Sequence, residues 1–177
     1  MRSSLSDGRV TIRAYQLRDA PLLYAAALES LPELIPWMPW AHEGFALHEI
    51  ESFIQYCRKS WDAGTEYGFG IVDARSGEYL GGTGLNDLNV QNRWANLGYW
   101  VRSSRTGYGI APAATRLVAQ FGFDELQLER IEIMMAVENY PSRRVAEKVG
   151  ATLEGTLRRR LRLHEVQHDA YLFSLVR

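Results

Sequence analysis

Apolar positions follow two periods along the chain, and the switches between them mark out its elements. Val10–Tyr15 alternates apolar and polar residues and reads as a short strand. Asp19 stands where it would cap a helix with Pro21 in its first turn, a position at which proline loses no hydrogen bond. Leu22, Leu23, Ala26 and Ala27 carry that helix to about Ser30. Pro32, Pro36 and Pro39 then predict a non-helical, aromatic-rich connection through Trp37 and Trp40. A second helix is expected from about Ala46 to Trp61, with Ile50, Phe53, Ile54 and Cys57 on one apolar stripe.

Strand signals fill the middle of the chain. Tyr67–Asp73 and Tyr79–Leu88 flank an Arg75–Gly77 turn as a hairpin, and Ala95–Val101 adds a further strand. The pattern then alternates. A helix over Ile110–Phe123 is followed by a strand over Ile131–Val137 and a short helix over Ser142–Val149 that Gly150 stops. Thr152–Leu163 and Val166–Val176 close the chain as two strands. Antiparallel strands, then a strand–helix alternation, then a hairpin predict an α/β fold with one mixed sheet and helices on its faces.

Composition narrows the function classes. At 177 residues one domain spanning 1–177 is expected. Hydrophobic residues make up 46% and charged residues 23%, ordinary values for a globular protein. A formal net charge of −1 supplies no field to recruit nucleic acid or an anionic membrane. The lone Cys57 has no disulfide partner, which fits a reducing compartment. The N-terminal residues lack the apolar stretch of a signal peptide and no segment is long enough to span a bilayer, so the expected location is the cytoplasm.

The chemistry-bearing stretch runs from Tyr99 to Ala111, where a strand ends, a loop carries Gly107 and Gly109, and an apolar helix begins at once. Glycines let successive N–H groups converge on one cavity, and a helix start adds unpaired donors and a positive dipole end suited to a pyrophosphate. Two glycines alone could equally be a tight strand–helix connection. Pro112 occupies the third glycine position of the dinucleotide fingerprint, and no Gly-Lys-Ser/Thr follows for a triphosphate loop. One helix and one strand later comes Val137-Glu-Asn139-Tyr-Pro-Ser142-Arg-Arg-Val-Ala146, running on to Gly150 and Gly155. Together the two blocks resemble the core motifs of the GNAT acetyltransferases. The loop is similar to the superfamily's Gln/Arg-x-x-Gly-x-Gly/Ala, with Ser104 in place of the Gln or Arg, a small departure because backbone N–H groups do most of the holding. The second block, and the Trp37-Met-Pro-Trp40 connection, look like the ribosomal-protein N-terminal acetyltransferase branch.

The resemblance implies a GNAT fold, a central mixed and mostly antiparallel sheet with helices on both faces. Residues 1–92 form its acceptor side and 93–177 its acetyl-CoA side, with acetyl-CoA as cosubstrate and no metal. It assigns backbone groups of Trp100, Val101 and Arg102 to the pantetheine arm and thioester carbonyl, and Arg105, Thr106, Gly107, Tyr108, Gly109 and Ile110 to the pyrophosphate. Asn139 would meet the pantetheine, or else simply cap the helix. The Tyr that many members use to protonate the leaving thiolate is replaced by Ala146, and Ser142 stands where the ribosomal branch uses a Ser. Ser142 is thus the expected donor, with a plain first-turn residue as its alternative. The carboxylate that some relatives use as base corresponds to Leu161, which leaves Asp87 and Glu138 as candidate bases or as solvated carboxylates.

The acceptor is expected to be a peptide or protein N-terminus. An α-amine titrates near ~7.7–8.0 and a lysine near ~10.4, so an α-amine needs less help from a base. Trp37, Trp40 and Phe45 are candidate acceptor-binding residues, or core packing under a proline-rich loop. A small-molecule amine acceptor and a non-catalytic acyl-CoA sensor are the competing readings, and family members occur as monomers and homodimers. Arg158, Arg159, Arg160 and Arg162 read as a solvated strand face, or as a contact for a cofactor phosphate or an acidic partner. His164 and His168 lack the carboxylate pattern of a metal site.

Overall fold

The computed structural model describes residues 1–177. Its strands are β1 (Ser4–Ser6), β2 (Val10–Ala14), β3 (Tyr67–Asp73), β4 (Tyr79–Asn89), β5 (Trp94–Val101), β6 (Arg130–Ala136), β7 (Thr152–Leu163) and β8 (Val166–Val176). They form one sheet in the order β1-β2-β3-β4-β5-β6-β8-β7. Every neighbouring pair is antiparallel except β5 and β6. The helices are α1 (Ala20–Leu34), α2 (Leu47–Ala63), α3 (Ile110–Asp124) and α4 (Tyr140–Lys148). The fold is therefore the mixed α/β sheet that the sequence pattern predicts, and it is mostly antiparallel as the family resemblance implies. No helix is long and apolar enough to cross a membrane.

Strand alternation divides the apolar side chains between two cores. Ile12, Phe69, Ile71, Leu85 and Leu97 point to one face and meet Ala114, Leu117, Val118 and Phe121 of α3, together with Ala146 of α4. Tyr15, Val72 and Tyr79 point to the other and pack with Leu23 and Ala27 of α1 and Ile50, Ile54 and Cys57 of α2. Each fully buried Leu, Ile or Phe contributes about 1.5–3 kcal/mol relative to exposure, so these two layers supply the main driving force. The hairpin turn between β3 and β4 is closed by Asp73, whose Oδ1 accepts from the N–H groups of Arg75 (3.0 Å) and Ser76 (2.8 Å).

Four local expectations change. Helix α1 continues through Pro32 to Leu34. Pro32 lies on the exposed side of its last turn, where the one carbonyl deprived of a helical donor can turn to water. Phe53 leaves the buried stripe of α2 and is 43% exposed, edge-on to Tyr15 at 5.3 Å. β1 was not anticipated, because three residues are too few to show a period. Asp19 does not cap α1 with its side chain. Its carboxylate, 3% exposed, takes a two-pronged pair from Arg13 at 2.6 and 2.8 Å and a bond from the Gln16 N–H at 2.9 Å. This pair raises the already high pKa of Arg13 through the Asp19 hydrogen bonds.

Asp19→Ala is expected to lower the urea midpoint strongly. Removing one partner of a buried pair typically costs about 3–5 kcal/mol, and the partial exposure of Arg13 puts this variant toward the low end. Equilibrium urea unfolding measures it, and a loss below about 1 kcal/mol would assign the pair a minor structural role.

Candidate active site

β5 and β6 pair in parallel only over Trp94–Asn96 and Arg130–Glu132, and beyond that point the strands part. β6 keeps its pairing with β8 to Ala136, and β5 keeps its pairing with β4 to Val101. One edge of Leu97–Val101 is consequently free. The Arg102 N–H donates to the Leu80 carbonyl at 2.9 Å, and the β4–β5 register is regular from there to Asn96. Backbone groups alternate sides along a strand, so Trp100 and Arg102 address β4 while Tyr99 and Val101 address the opening. Of the three backbone positions expected to meet a pantetheine, only Val101 faces the gap, and Tyr99 joins it.

The loop after β5 ends at the start of α3. Arg105 and Thr106 commit their N–H groups to the carbonyls of Arg102 (3.0 Å) and Ser103 (3.2 Å). The N–H groups of Gly107, Tyr108, Gly109 and Ile110 have no acceptor within the protein. Gly107 at φ +83° and Gly109 at φ +74° hold the left-handed backbone that turns these donors together, a conformation costing other L-residues about 1–2 kcal/mol. Four unpartnered donors at a helix start suit the diphosphate of a nucleotide-type cosubstrate. The side chain of Arg105 is engaged with Glu78 at 2.7 Å, and Arg102 pairs with Glu29 and Glu78.

A further cation reaches the loop from far away in sequence. Arg9, in the turn before β2, donates to the Tyr108 carbonyl, and a Cβ added at Gly109 would lie 3.4 Å from its Nη1. Sequence reasoning missed Arg9, since nothing around it forms a motif.

On the α3–α4 side of the opening stands Ser142. Its N–H donates to Asn139 Oδ1 at 3.1 Å, so Asn139 does cap α4. Tyr99 Oη lies 3.0 Å from both the carbonyl oxygen and Oγ of Ser142. Burial pushes the Tyr99 phenol up to about 12, against a smaller lowering by Ser142, so the phenol keeps its proton at neutral pH. The two hydroxyls tie Ser142 to the free stretch of β5.

The opposite face carries a groove of about 770 Å³. Its walls include Trp40, Phe45, Phe53 and Trp100, with Gly82 and Gly98 in its floor. Trp40 contacts Phe45 at 5.5 Å and Trp100 at 5.7 Å between ring centres. Trp37 does not line it. Its ionisable side chains include Glu49, Glu66 and His42. His42 Nδ1 sits 2.9 Å from the Glu43 carbonyl and Nε2 2.9 Å from Glu49 Oε2. Both partners are acceptors, so the pair favours the imidazolium; the Glu43 carbonyl and then Glu49 raise the His42 pKa.

The proposed carboxylate bases lie elsewhere. Asp87 is exposed at a β4 irregularity with φ 52°, and Glu138 faces solvent 3.6 Å from His168; neither lines the groove. Glu49 and Glu66 do, and α-helical periodicity around Glu49 was the only signal in the sequence for either. Arg158, Arg159 and Arg160 are exposed on β7, while Arg162 pairs with Glu165. His164 contacts the Ile35 carbonyl. Cys57 is buried, its thiol pushed up to about 12 by burial, and so is no nucleophile. No group of three or more His, Cys, Asp or Glu side chains is arranged to hold a metal ion.

Known proteins resemble this chain along most of its length. A family model described as an acetyltransferase (GNAT) domain matches residues 9–152. YdaF of Bacillus subtilis, provisionally named a ribosomal N-acetyltransferase, is 32% identical over 171 residues, covering 95% of this chain and 91% of its own. The ribosomal-protein-serine acetyltransferase of Escherichia coli is 29% identical over 99 residues, 56% of this chain and 55% of its own. Among solved structures, Mycobacterium smegmatis RimJ in complex with CoA-disulfide superposes with a TM-score of 0.84 at 32% identity, covering 94% of this chain and 81% of that one.

Two measurements check the loop. Arg9→Ala is expected to weaken acetyl-CoA binding by about three- to tenfold in calorimetry, the scale of a partly solvated charge contact. Glu29, which accepts from the Ser104 N–H at 3.0 Å, is held down from the usual 4.5 to about 2, chiefly by the Arg102 hydrogen bond. A depressed carboxylate stabilises above its unfolded pKa and loses that contribution as pH falls through the folded one. Thermal stability should therefore decline from about pH 4.5 toward 2, and Glu29→Gln should flatten that part of the profile.

Proposed function

Because this chain belongs to the GNAT acetyltransferase family, and is by that membership an N-acetyltransferase, we propose that it carries an acetyl group from acetyl-CoA to a protein N-terminal α-amine, such as that of a ribosomal protein. The observation that carries the cosubstrate is the row of unpartnered N–H groups at Gly107–Ile110, set beside the open edge of β5. The reading of the acceptor rests on the open groove on the other face and on relatives named for ribosomal-protein acetylation.

The roles follow from position. Gly107, Tyr108, Gly109 and Ile110 hold the diphosphate, with Arg9 alongside. Val101 and Tyr99 offer backbone groups to the pantetheine arm in the opening. A backbone N–H of this free edge also supplies the donor that an attacked carbonyl needs as its oxygen gains charge. The acceptor amine approaches from the groove, between Trp40, Phe45 and Trp100. Ser142 Oγ–H donates to the departing sulfur, and Tyr99 fixes the Ser142 rotamer while remaining protonated itself. A thiolate of pKa near ~8.5 leaves readily, so one hydrogen bond suffices in place of a strong acid.

The proton lost by the amine passes to water beside Glu49 and Glu66, which line the groove. An α-amine, substantially neutral near pH 8, places the least demand on them. That favours an N-terminus over a lysine side chain.

Free-thiol release from acetyl-CoA should occur with short peptides and vanish when their α-amine is blocked. Release with small amines alone would transfer the function to a small-molecule acetyltransferase, and binding without release would indicate a sensor. Ser142→Ala is expected to lower kcat by about ten- to a hundredfold, at the low end of acid catalysis, with KM for acetyl-CoA little changed. Loss confined to KM would make Ser142 a binding residue only.

A further inference from the structure

Most glycines of the sheet have a local reason to be glycine, and Gly98 has none. A Cβ at Gly82 would meet Tyr15 Oη at 2.4 Å and Trp100 Nε1 at 2.7 Å. One at Gly84 would meet the Tyr67 carbonyl oxygen at 2.7 Å, and one at Gly81 the Trp100 carbonyl oxygen at 2.1 Å. Gly155, with open space beside it, lies at an irregularity of β7. Gly98 sits in the regular middle of β5, paired with Gly84, without a left-handed φ, and a Cβ there would meet nothing within 4 Å. Glycine weakens a strand interior, and a glycine free of internal crowding marks a place where something outside the chain comes close.

The outside of Gly98 is the groove. Gly98 shares a sheet face with Trp100, two residues on, and both line it. It lies on the stretch of β5 that has left β6, so it is beside the opening through which an acetyl group would be reached. Trp40, Phe45, Phe53 and Ile50 wall the space apolarly. Its charges are the carboxylates of Glu49 and Glu66 and the His42 ring, which is already matched to Glu49. That balance suits an ammonium and rejects an acidic side chain.

We propose that Gly98 is the acceptor's seat: the first residue of the acceptor chain presses on the bare backbone of Gly98, with a large apolar side chain between the aromatic walls. This rests on the acceptor reading given above, and it narrows the class to α-amines borne by apolar first residues.

The test uses the full chain with acetyl-CoA and peptides that differ only in a first residue of Leu, Gly or Asp. The Leu peptide should exceed the Asp peptide in kcat/KM by about tenfold. Gly98→Val should lower kcat/KM for the Leu peptide by about tenfold or more and Gly98→Ala by about threefold, since each fills the seat. Acetyl-CoA affinity by calorimetry should stay unchanged, and Tm unchanged or higher, because Val suits a strand better than Gly. Quenching of tryptophan fluorescence by the Leu peptide, with Trp40 and Trp100 in the walls, should weaken in parallel and reads binding without turnover.

Gly98→Val that is folded and turns over the Leu peptide within about twofold of the parent would overturn the assignment. An equal loss of acetyl-CoA affinity would also overturn it, moving Gly98 to the cosubstrate. Equal rates with Leu and Asp peptides would overturn the apolar class. Should Gly98→Val not fold, the Ala variant decides by the same comparison. A parent enzyme active only on small amines would refute the N-terminal reading separately, and the same variants on that amine would still judge Gly98.

Discussion

Two parallel strands that part after three paired residues are the constraint on which this site depends. A sheet interior leaves no backbone group free, and the separation of β5 from β6 breaks that rule over Leu97–Val101. The candidate site is built around this gap. The donor row at Gly107–Ile110 follows β5 across the short turn of Ser103–Arg105, Ser142 reaches Tyr99 from α4, and Gly98 and Trp100 face the groove on the far side. The strands are kept together at their base, where the Arg93 carbonyl accepts from the Glu129 N–H at 2.8 Å and Arg93 Nη1 pairs with Glu129 at 2.9 Å.

Helix α1 is bound to the loop that leads into α3 on the other face. Glu29 of α1 accepts from the Ser104 N–H and pairs with Arg102, and Ser30 Oγ accepts from the Ser103 N–H at 2.9 Å. Glu78, at the start of β4, holds both Arg102 and Arg105. Helix α1, whose Leu23 lines the groove, thus also fixes the segment leading to the unpartnered N–H groups of Gly107–Ile110. Individually these partly exposed pairs contribute little, but as a connected set they restrict the loop before any ligand arrives.

How much was legible depends on whether a feature is local. The element order, the loop at Gly107 and Gly109 and the placement of Ser142 were readable because period and spacing belong to short stretches of chain. Asp19 was misread because a carboxylate before a helix caps it in most contexts, and only tertiary packing put Arg13 within reach. Phe53 looked like core because periodicity reports a helix face and not what covers it. Trp40 and Phe45 came to the groove while Trp37 did not, a distinction set by how the proline-rich connection folds. Asp87 and Glu138 were singled out by nearness in sequence to strand and motif, and neither lines the groove.

By itself the sequence determined the α/β class, the strand–loop–helix that gathers backbone donors, and the kinship with the GNAT family, since each is written in residues close together. Only the tertiary structure decided that β5 leaves β6, that Arg9 joins a loop a hundred residues away, that Tyr99 holds Ser142, and that Gly98 opens onto an aromatic groove. Those are relations between distant segments, fixed by the pairing of strands and the burial of two cores, and no local pattern encodes them.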